Sequence, residues 1–545
     1  MRTLVRRILD KLFTASSGLA VLLMAAALVL ILGPIIWRGS DAVFFDATVE
    51  FRRMQLGELH RGDAEAVADE LDRAHAARQK VYDLLDRFSE GIDTSGPAQR
   101  AKEVLRQYEA QLANRVEAGA IGESDSRRMR RRAKKLRNAL LDAYEADEAD
   151  AALARLADVL ESPEREALAD TAAGEFFRMA ARYKEVAARL DMSLREKYAD
   201  PLASVRETIG LLLGPRPGQP VPDLSQFRYG ATRWDQATAL LDELLWAEQW
   251  VSDGAGRPMR KVRTRREEVF AGTELAGLFP LIERDLEEMM LPQSTVYWQY
   301  FIDDSPPGHF FGGVGPEAVG TLLLTALSML LAVPTGVTTA AYLVECTRGG
   351  PLVRVLRTCI NTLAGVPSIV FGLFGLACFV LWMLPGLGLS NGSSILAGAM
   401  TLGVLVLPIV IRASEEAIRA VPASYREASL ALGAGALRTF VTVTFPAALP
   451  GILTGVILSM SRAAGETAPI LFTAAVAVGK LNWNITQPTR TLSYGSYDLA
   501  VGDRLAAKVP HNQFGMILAL ILLVLLLNTA AIVIRWRIGK RLRGA

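Results

Sequence analysis

TCINTLAGVPSIVFGLFGLACFVLWMLPGLGLSNGSSILAGAMTLGVLVLPIVI, residues 358–411, is a run of 54 residues without Asp, Glu, Lys or Arg, bounded by Arg357 and Arg412. As one helix rising about 1.5 Å per residue it would extend roughly 80 Å, far beyond the hydrocarbon core of a bilayer. The run must therefore fold back. Pro385-Gly386-Leu387-Gly388-Leu389-Ser390-Asn391-Gly392-Ser393 supplies the turn and predicts spans near 359–383 and 394–411. Working outward, apolar stretches near 318–344, 448–478 and 515–534 predict three more spans, and 12–37 predicts a first. That first stretch is long and ends in Gly33-Pro34-Ile35-Ile36-Trp37-Arg38 without an A-x-A-like site, which favours a retained anchor over a cleaved signal. The expectation is an all-α, polytopic helical membrane protein with six spans.

The 545 residues carry a net charge of +2, an average over unlike pieces. Residues 314–545 hold 17 Lys/Arg and 8 Asp/Glu, whereas 38–313 hold 39 and 49, a net charge of −10. Three segments follow: 1–37, an N-terminus and anchor; 38–313, a charged domain; and 314–545, a five-span core. Basic residues in short loops mark the cytoplasmic side. Arg2, Arg6, Arg7 and Lys11 precede the first span, and Arg535, Arg537, Lys540, Arg541 and Arg543 follow the last. Arg348, Arg354 and Arg357, then Arg412, Arg419, Arg426 and Arg438, mark two more loops. Six spans put both termini in the cytoplasm and 38–313 outside it, as a large extracytoplasmic insertion after span 1. No nucleic acid is met there.

Residues 38–313 are rich in Ala, Leu and charge, which favours long solvated helices. Val67, Leu71, Ala74, Val81, Leu85 and Phe88 keep alternating steps of four and three if Arg78 takes one place in the seam. Met129, Ala133, Leu136 and Leu140 repeat the step, predicting a helical hairpin or short coiled coil. Gly91-Ile92-Asp93-Thr94-Ser95-Gly96-Pro97 and Gly214-Pro215-Arg216-Pro217-Gly218-Gln219-Pro220 are the candidate turns. The basic run Arg127–Lys135 reads foremost as a solvated helix face paired with acids such as Asp142, Glu145, Asp147 and Glu148, with a docking surface for an acidic protein or lipid headgroups as the alternative. Residues 296–301, VYWQYF, read equally as a strand or an interfacial aromatic cluster.

Cys346, Cys359 and Cys378 all lie in the apolar half, so the charged half has no disulfide framework. His60, His75, His309 and His511 are scattered and no H-E-x-x-H occurs, which argues against a metal site and metal-dependent hydrolysis. The absence of G-x-x-x-x-G-K-[ST] argues against an ATP site of that type. No cofactor is expected on this chain, and energy must come from a partner.

The segment suited to receive that partner is the inner loop 412–447. It reads as a polar helix, a short helix over Glu427-Ala428-Ser429-Leu430-Ala431-Leu432, a break at Gly433, and a run to Pro446 at the next span. Glu427-Ala428-Ser429, Gly433 and Val443-x-Phe445-Pro446 resemble the E-A-A…G…I-x-L-P loop of binding-protein-dependent ABC importer permeases. Ser429, Val443 and Phe445 depart mildly from that pattern. Ser461-Arg462-Ala463-Ala464-Gly465-Glu466-Thr467-Ala468-Pro469-Ile470, Leu363–Leu376 and Gly312-Gly313-Val314-Gly315-Pro316 resemble the PstA-type phosphate permeases, so the likeness runs through about 300–545. The resemblance implies a non-ATPase subunit of an importer of inorganic phosphate in the bacterial inner membrane. Its implied partners are a second permease subunit, two ATPase subunits that carry the ATP, and a periplasmic phosphate-binding protein. Glu427, Ala428, Ser429, Gly433 and Pro446 would form the ATPase-coupling loop. A permease for sulfate, molybdate or another oxyanion is the nearest alternative, and a membrane-anchored signalling or assembly scaffold is a different one.

Arg462 and Glu466 are the only charges between Arg438 and Lys480 and stand four apart. Charged groups in a span cost about 2.5–3.5 kcal/mol on insertion scales and face a bundle interior or an aqueous path. A helix-locking ion pair and a place in the translocation pathway both fit. Gly365, Pro367, Gly465 and Pro469 are expected to loosen two spans, freeing backbone N–H groups towards an anion.

Overall fold

The computed structural model describes residues 2–146, 148–188, 195–217, 230–251, 260–304, 311–347, 350–390, 392–476, 479, 483–501 and 510–543. Asp147, Gly218, Gln219, Pro220, His309, Arg348, Asn391 and Lys480 lie outside them. Two compact units emerge, one of 1–45 with 294–545 and one of 46–293. Among the described residues six helices are long and apolar enough to cross a membrane: Lys11–Ser40, Gly315–Cys346, Ser368–Gly386, Ile395–Arg419, Ala436–Gly465 and His511–Lys540. The chain is a polytopic helical membrane protein.

The first span is part of α1 (Arg2–Ser40), whose Leu22, Met24, Val29 and Leu30 are all exposed, as suits a lipid-facing helix. β1 (Phe44–Ala47) then leads into the second unit.

That unit contains α2 (Val49–Leu59), α3 (Ala64–Ile92), α4 (Ser95–Glu117), α5 (Glu123–Tyr144), α6 (Ala149–Leu160), α7 (Arg165–Leu168), α8 (Glu175–Ala187), α9 (Arg195–Leu213) and α10 (Trp234–Leu245). The hairpin β2 (Trp246–Val251) and β3 (Arg260–Arg265), then α11 (Arg266–Val269) and α12 (Leu278–Met290), complete it. The two apolar seams enter separate cores and form no common coiled coil. Val81, Leu85 and Phe88 of α3 pack with Leu202 and Ile209 of α9, Leu240 of α10 and Ile282 of α12. Ala133, Leu136 and Leu140 of α5 pack with Leu105 of α4, Leu156 of α6 and Phe176 of α8. The seams occur in both, but helix order sends each to its own neighbours.

Arg78 does occupy the seam and is fully buried. Its Nη1 donates to Glu50 Oε1 and to the Leu213 carbonyl, both at 2.7 Å, and its Nε donates to the Met289 carbonyl at 2.8 Å. One guanidinium thus ties α2, α3, α9 and α12. Burial and the adjacent Arg78 guanidinium hold the His75 imidazole below its ordinary 6.5. Its folded pKa is depressed, so the stability it contributes is present above pH 6.5 and lost as pH falls below it. The protection of α3 amides in the full chain, measured against their intrinsic exchange at each pH, should therefore fall on acidification, less so in His75→Asn.

The basic run on α5 is exposed and paired, though with other acids than the sequence suggested. Arg127 pairs with Glu123 at 3.0 Å, Arg128 with Asp125 at 2.8 Å, and Arg132 with Glu164 at 3.1 Å. Asp142 instead meets Arg155 of α6 at 3.0 Å, because the α5–α6 turn brings that helix alongside.

The chain re-enters the first unit through β4 (Gln293–Val296) and a 3-10 turn, Trp298–Phe301, that buries Tyr297 and Tyr300. The segment 296–301 is thus the end of a strand followed by an aromatic cluster. The core comprises α13 (Gly315–Ala341), α14 (Pro351–Leu363), α15 (Ser368–Gly375), α16 (Leu384–Gly386), α17 (Ile395–Arg419), α18 (Ala423–Ala431), α19 (Ala436–Thr439), α20 (Phe445–Gly465), α21 (Ala468–Thr473), α22 (Leu492–Val501) and α23 (Pro510–Arg543). π-helical turns at Tyr342–Cys346, Leu376–Met383 and Phe440–Thr444 continue α13, join α15 to α16, and join α19 to α20. The most enclosed span is α17, with Leu402 against Leu324 of α13, and Leu405 and Val406 against Phe371 of α15 and Ala463 of α20. Small residues let the backbones approach. A Cβ at Gly336 would lie 2.6 Å from Val410 Cγ1, and one at Gly451 would lie 2.7 Å from Ala417 Cβ.

Three span limits differ from the sequence expectation. The third span starts at Ser368, not near 359, because Pro367 biases Val366 away from the helical region and leaves α14 as a separate helix. None of the residues of α14 is buried, and Leu352, Val355 and Leu356 are exposed. The fourth span passes 411 and runs to Arg419, with Glu415 pairing with Arg357 at 3.0 Å and Arg419 at 2.5 Å. The fifth lies at Ala436–Gly465 and not at 448–478, since Gly465-Glu466-Thr467 ends the helix before Pro469 opens α21.

Candidate functional site

The loop between α17 and α20 is built by local rules. Pro422, at φ −54 and ψ 137, caps α18, and Leu432 closes it. Gly433 N donates to Leu430 O at 2.9 Å and Ala434 N donates to Ser429 O at 3.2 Å, the two bonds of a Schellman ending. That ending needs a left-handed residue, and Gly433 has φ +85. Pro446 follows inside the continuous helix Ala436–Gly465, directly after the π-helical turn Phe440–Thr444, where it lacks the N–H of an ordinary helical residue.

No residue of α18 is buried. Tyr425 is 55% exposed, Leu430 50% and Leu432 90%, with Leu437 of α19 at 78%. Four large side chains are thus exposed together on one short loop. Glu427 and Ala428 are exposed, and Glu427 makes no side-chain hydrogen bond or ion pair among the described residues. Ser429, the departure from the second Ala of the motif, is half-buried and shares a hydrogen bond with the Thr439 hydroxyl at 2.9 Å. The serine thus staples the end of α18 to α19.

Arg462 and Glu466 do meet, with Nε to Oε1 at 3.2 Å, but not as successive turns of one helix. Arg462 lies in the last turn of α20, whereas Glu466 is the capping residue with ψ 127, so its carboxylate reaches back across the helix end. Their side chains are 39% and 19% exposed. The Glu466 carbonyl accepts from Ser493 Oγ at 3.3 Å, bringing α22 to the same point. Gly465 ends α20 and Pro469 sits buried in the first turn of α21. Gly365 and Pro367 lie between α14 and α15, with Gly365 N donating to Thr362 O at 3.0 Å. All four positions thus stand at helix ends.

A buried charge cluster escaped the sequence reading. Arg490, 5% exposed at its side chain, donates through Nε to Glu317 Oε1 at 2.9 Å and through Nη1 to Asp304 Oδ1 at 2.8 Å. Nη2 also reaches Glu317 Oε1, and the Glu317 side chain is 2% exposed. The cluster ties the start of α13 to the segment before α22. Arg490 and Glu317 stand 173 positions apart, so no local pattern announces the cluster. The one available signal was a lone acid, Glu317, at the head of an apolar span.

Residues 320–544 match the family model described as "Binding-protein-dependent transport system inner membrane component". "Phosphate transport system permease protein PstA 1" of Mycobacterium tuberculosis is 39% identical over 251 residues, covering 45% of this chain and 77% of that protein. The chain belongs to the PstA-type family of binding-protein-dependent permeases. The permease is also 36% identical to "Probable ABC transporter permease protein YqgI" of Bacillus subtilis, over 40% of its own length and 71% of that protein. To "Phosphate transport system permease protein PstA" of Xylella fastidiosa it is 31% identical, over 44% of its own length and 80% of that protein. The loop 412–447 and the Arg462–Glu466 pair fall within the residues that the family model matches.

Proposed function

We infer that this permease is the transmembrane subunit of an ATP-driven importer of inorganic phosphate, forming half of the translocation pathway. The observation that carries the reading is α18 with its Gly433 ending and exposed apolar face, in the place a PstA-type permease reserves for its coupling helix. A second permease subunit completes the pathway, two separate ATPase subunits bind and hydrolyse the ATP, and a periplasmic phosphate-binding protein delivers the anion. Glu427, Ala428, Ser429, Gly433 and Pro446 form the coupling loop. This chain needs no cofactor of its own and is not itself an ATPase. Copurification of the ATPase subunits with the parent, and its loss when residues 427–433 are replaced by a Gly/Ser linker, tests the assignment. A scaffold would keep its partners without that loop.

Arg462 and Glu466 serve the pathway, and the helix ends at Gly365, Pro367, Gly465 and Pro469 leave backbone groups for the passing anion. Arg462→Ala or Glu466→Ala leaves the other charge without its partner at the end of α20. Either variant is expected to abolish phosphate uptake in proteoliposomes while retaining ATPase-subunit binding. Normal uptake in both would leave the pair a local helix lock.

The permease resides in the bacterial inner membrane with both termini cytoplasmic and 38–313 periplasmic, a reading supported by the Lys/Arg of the terminal segments and short loops. Ala118, exposed at the end of α4, offers a test. After Cys346, Cys359 and Cys378 are replaced, Ala118→Cys should react with an impermeant thiol reagent in intact spheroplasts. Labelling only after lysis would reverse the orientation.

A further inference from the structure

The coupling helix is short and its apolar side chains face outward, so few contacts bind it to the rest of its own chain. Among the described residues α18 makes two kinds of side-chain polar contact. Ser429 bonds Thr439 just beyond the helix, and Arg426 reaches the spans. Arg426 Nη2 donates to the Ile418 carbonyl in the last turn of α17 at 2.7 Å. Its Nε lies 3.0 Å from Glu345 Oε1, in the π-helical turn that continues α13. The link to α17 repeats a covalent connection only a few residues long. The link to α13 does not, because Glu345 and Arg426 are far apart in sequence.

We propose that Arg426 is the positioning residue that carries displacement of the coupling helix into α13, through its ion pair with Glu345. This rests on the assignment of α18 as the coupling helix. The geometry suits transmission. Nη2 holds the Ile418 carbonyl by a hydrogen bond while the guanidinium charge faces the Glu345 carboxylate at ion-pair distance, so a tilt of α18 disturbs both contacts. The side chains are 23% and 28% exposed, which shields the pair more than a surface contact. Beyond Glu345 the load enters a close-packed contact, since Gly336 of α13 lies against Val410 of α17. Packed interfaces of this kind shift between discrete arrangements and do not deform continuously, so a small movement at α18 becomes a movement of the α13–α17 pair. Apolar burial of α18 against the ATPase subunit supplies affinity, while Arg426 supplies direction.

The test uses the complete importer, with its ATPase subunits and binding protein, in proteoliposomes, and reads ATP hydrolysed per phosphate imported. Glu345→Gln and Arg426→Gln should each raise that ratio about fivefold, corresponding to a pair worth on the order of 1 kcal/mol, with ATPase-subunit binding unchanged. Arg426→Lys, which keeps the charge, should lie nearer the parent. The double Gln variant should be no worse than either single one, and the exchange Glu345→Arg with Arg426→Glu should recover part of the coupling. An unchanged ratio in the single variants, or fully additive effects in the double, would overturn the linkage. The parent separates the two levels: if it binds ATPase subunits yet imports no phosphate, the underlying assignment fails, whereas an importing parent with unaffected variants refutes Arg426 alone.

Discussion

Gly433→Val should leave the permease in the membrane and uncouple it, reducing phosphate uptake at least about tenfold while Gly433→Asn retains a substantial part. Gly433 has φ +85, and a Cβ added there meets nothing within 4 Å. Space is therefore not the obstacle. The left-handed backbone costs an L-residue about 1–2 kcal/mol, more when β-branched and less for Asn, so valine opposes the Schellman ending that aims α18 at its partner. Glu427→Ala should uncouple by another route, since it removes an exposed carboxylate with no partner within the described chain and leaves the fold intact. The measurements are membrane content, copurification of the ATPase subunits and uptake. Equal uptake by the Val and Asn variants would detach coupling from the backbone geometry at Gly433.

Arg78→Ala should have the largest effect on stability, destabilising the unit of 46–293 by about 3–5 kcal/mol. The guanidinium and the Glu50 carboxylate are both fully buried. Removing one leaves the other charged in a low-dielectric core, and also strands the Leu213 and Met289 carbonyls. The contrast to make is with Arg78→Met combined with Glu50→Leu, which removes both charges and keeps most of the volume. The double variant should recover much of the loss, because paired apolar replacements of buried ion pairs are often close to neutral. Hydrogen exchange of α3 amides in the full chain reads both. A single variant within about 1 kcal/mol of the parent would mean that the ion pair does not hold these four helices together.

The helical membrane class and the coupling loop were legible because their signals are local. A 54-residue uncharged run forces a fold-back, and Glu427 to Pro446 follow one another on a single loop. The seam through Arg78 was legible too, since the four-and-three steps place that residue among Val, Leu and Phe. Where spans begin and end was harder. Pro367 and Pro469 carried the breaks that separate α14 from α15 and α20 from α21, but hydropathy averaged across them. The π-helical turns at Tyr342–Cys346 and Phe440–Thr444 leave no periodic trace in so few residues. The contacts of Arg490 with Glu317 and of Arg426 with Glu345 depend on tertiary packing, as do the acids chosen by Arg127, Arg128 and Arg132. In each case several carboxylates of equal chemistry were available, and helix packing selects among them.

Coupling of ATP hydrolysis on partner subunits to phosphate import by this permease can be read in one reconstituted system. The most direct measurement reconstitutes the chain with a second permease subunit, ATPase subunits and binding protein, and compares ATP-dependent uptake of phosphate, sulfate and molybdate in the same vesicles. Phosphate uptake should be saturable, require ATP and disappear when 427–433 is replaced, with sulfate and molybdate at background. Uptake of sulfate or molybdate in preference to phosphate, or phosphate uptake indifferent to the loop, would contradict it.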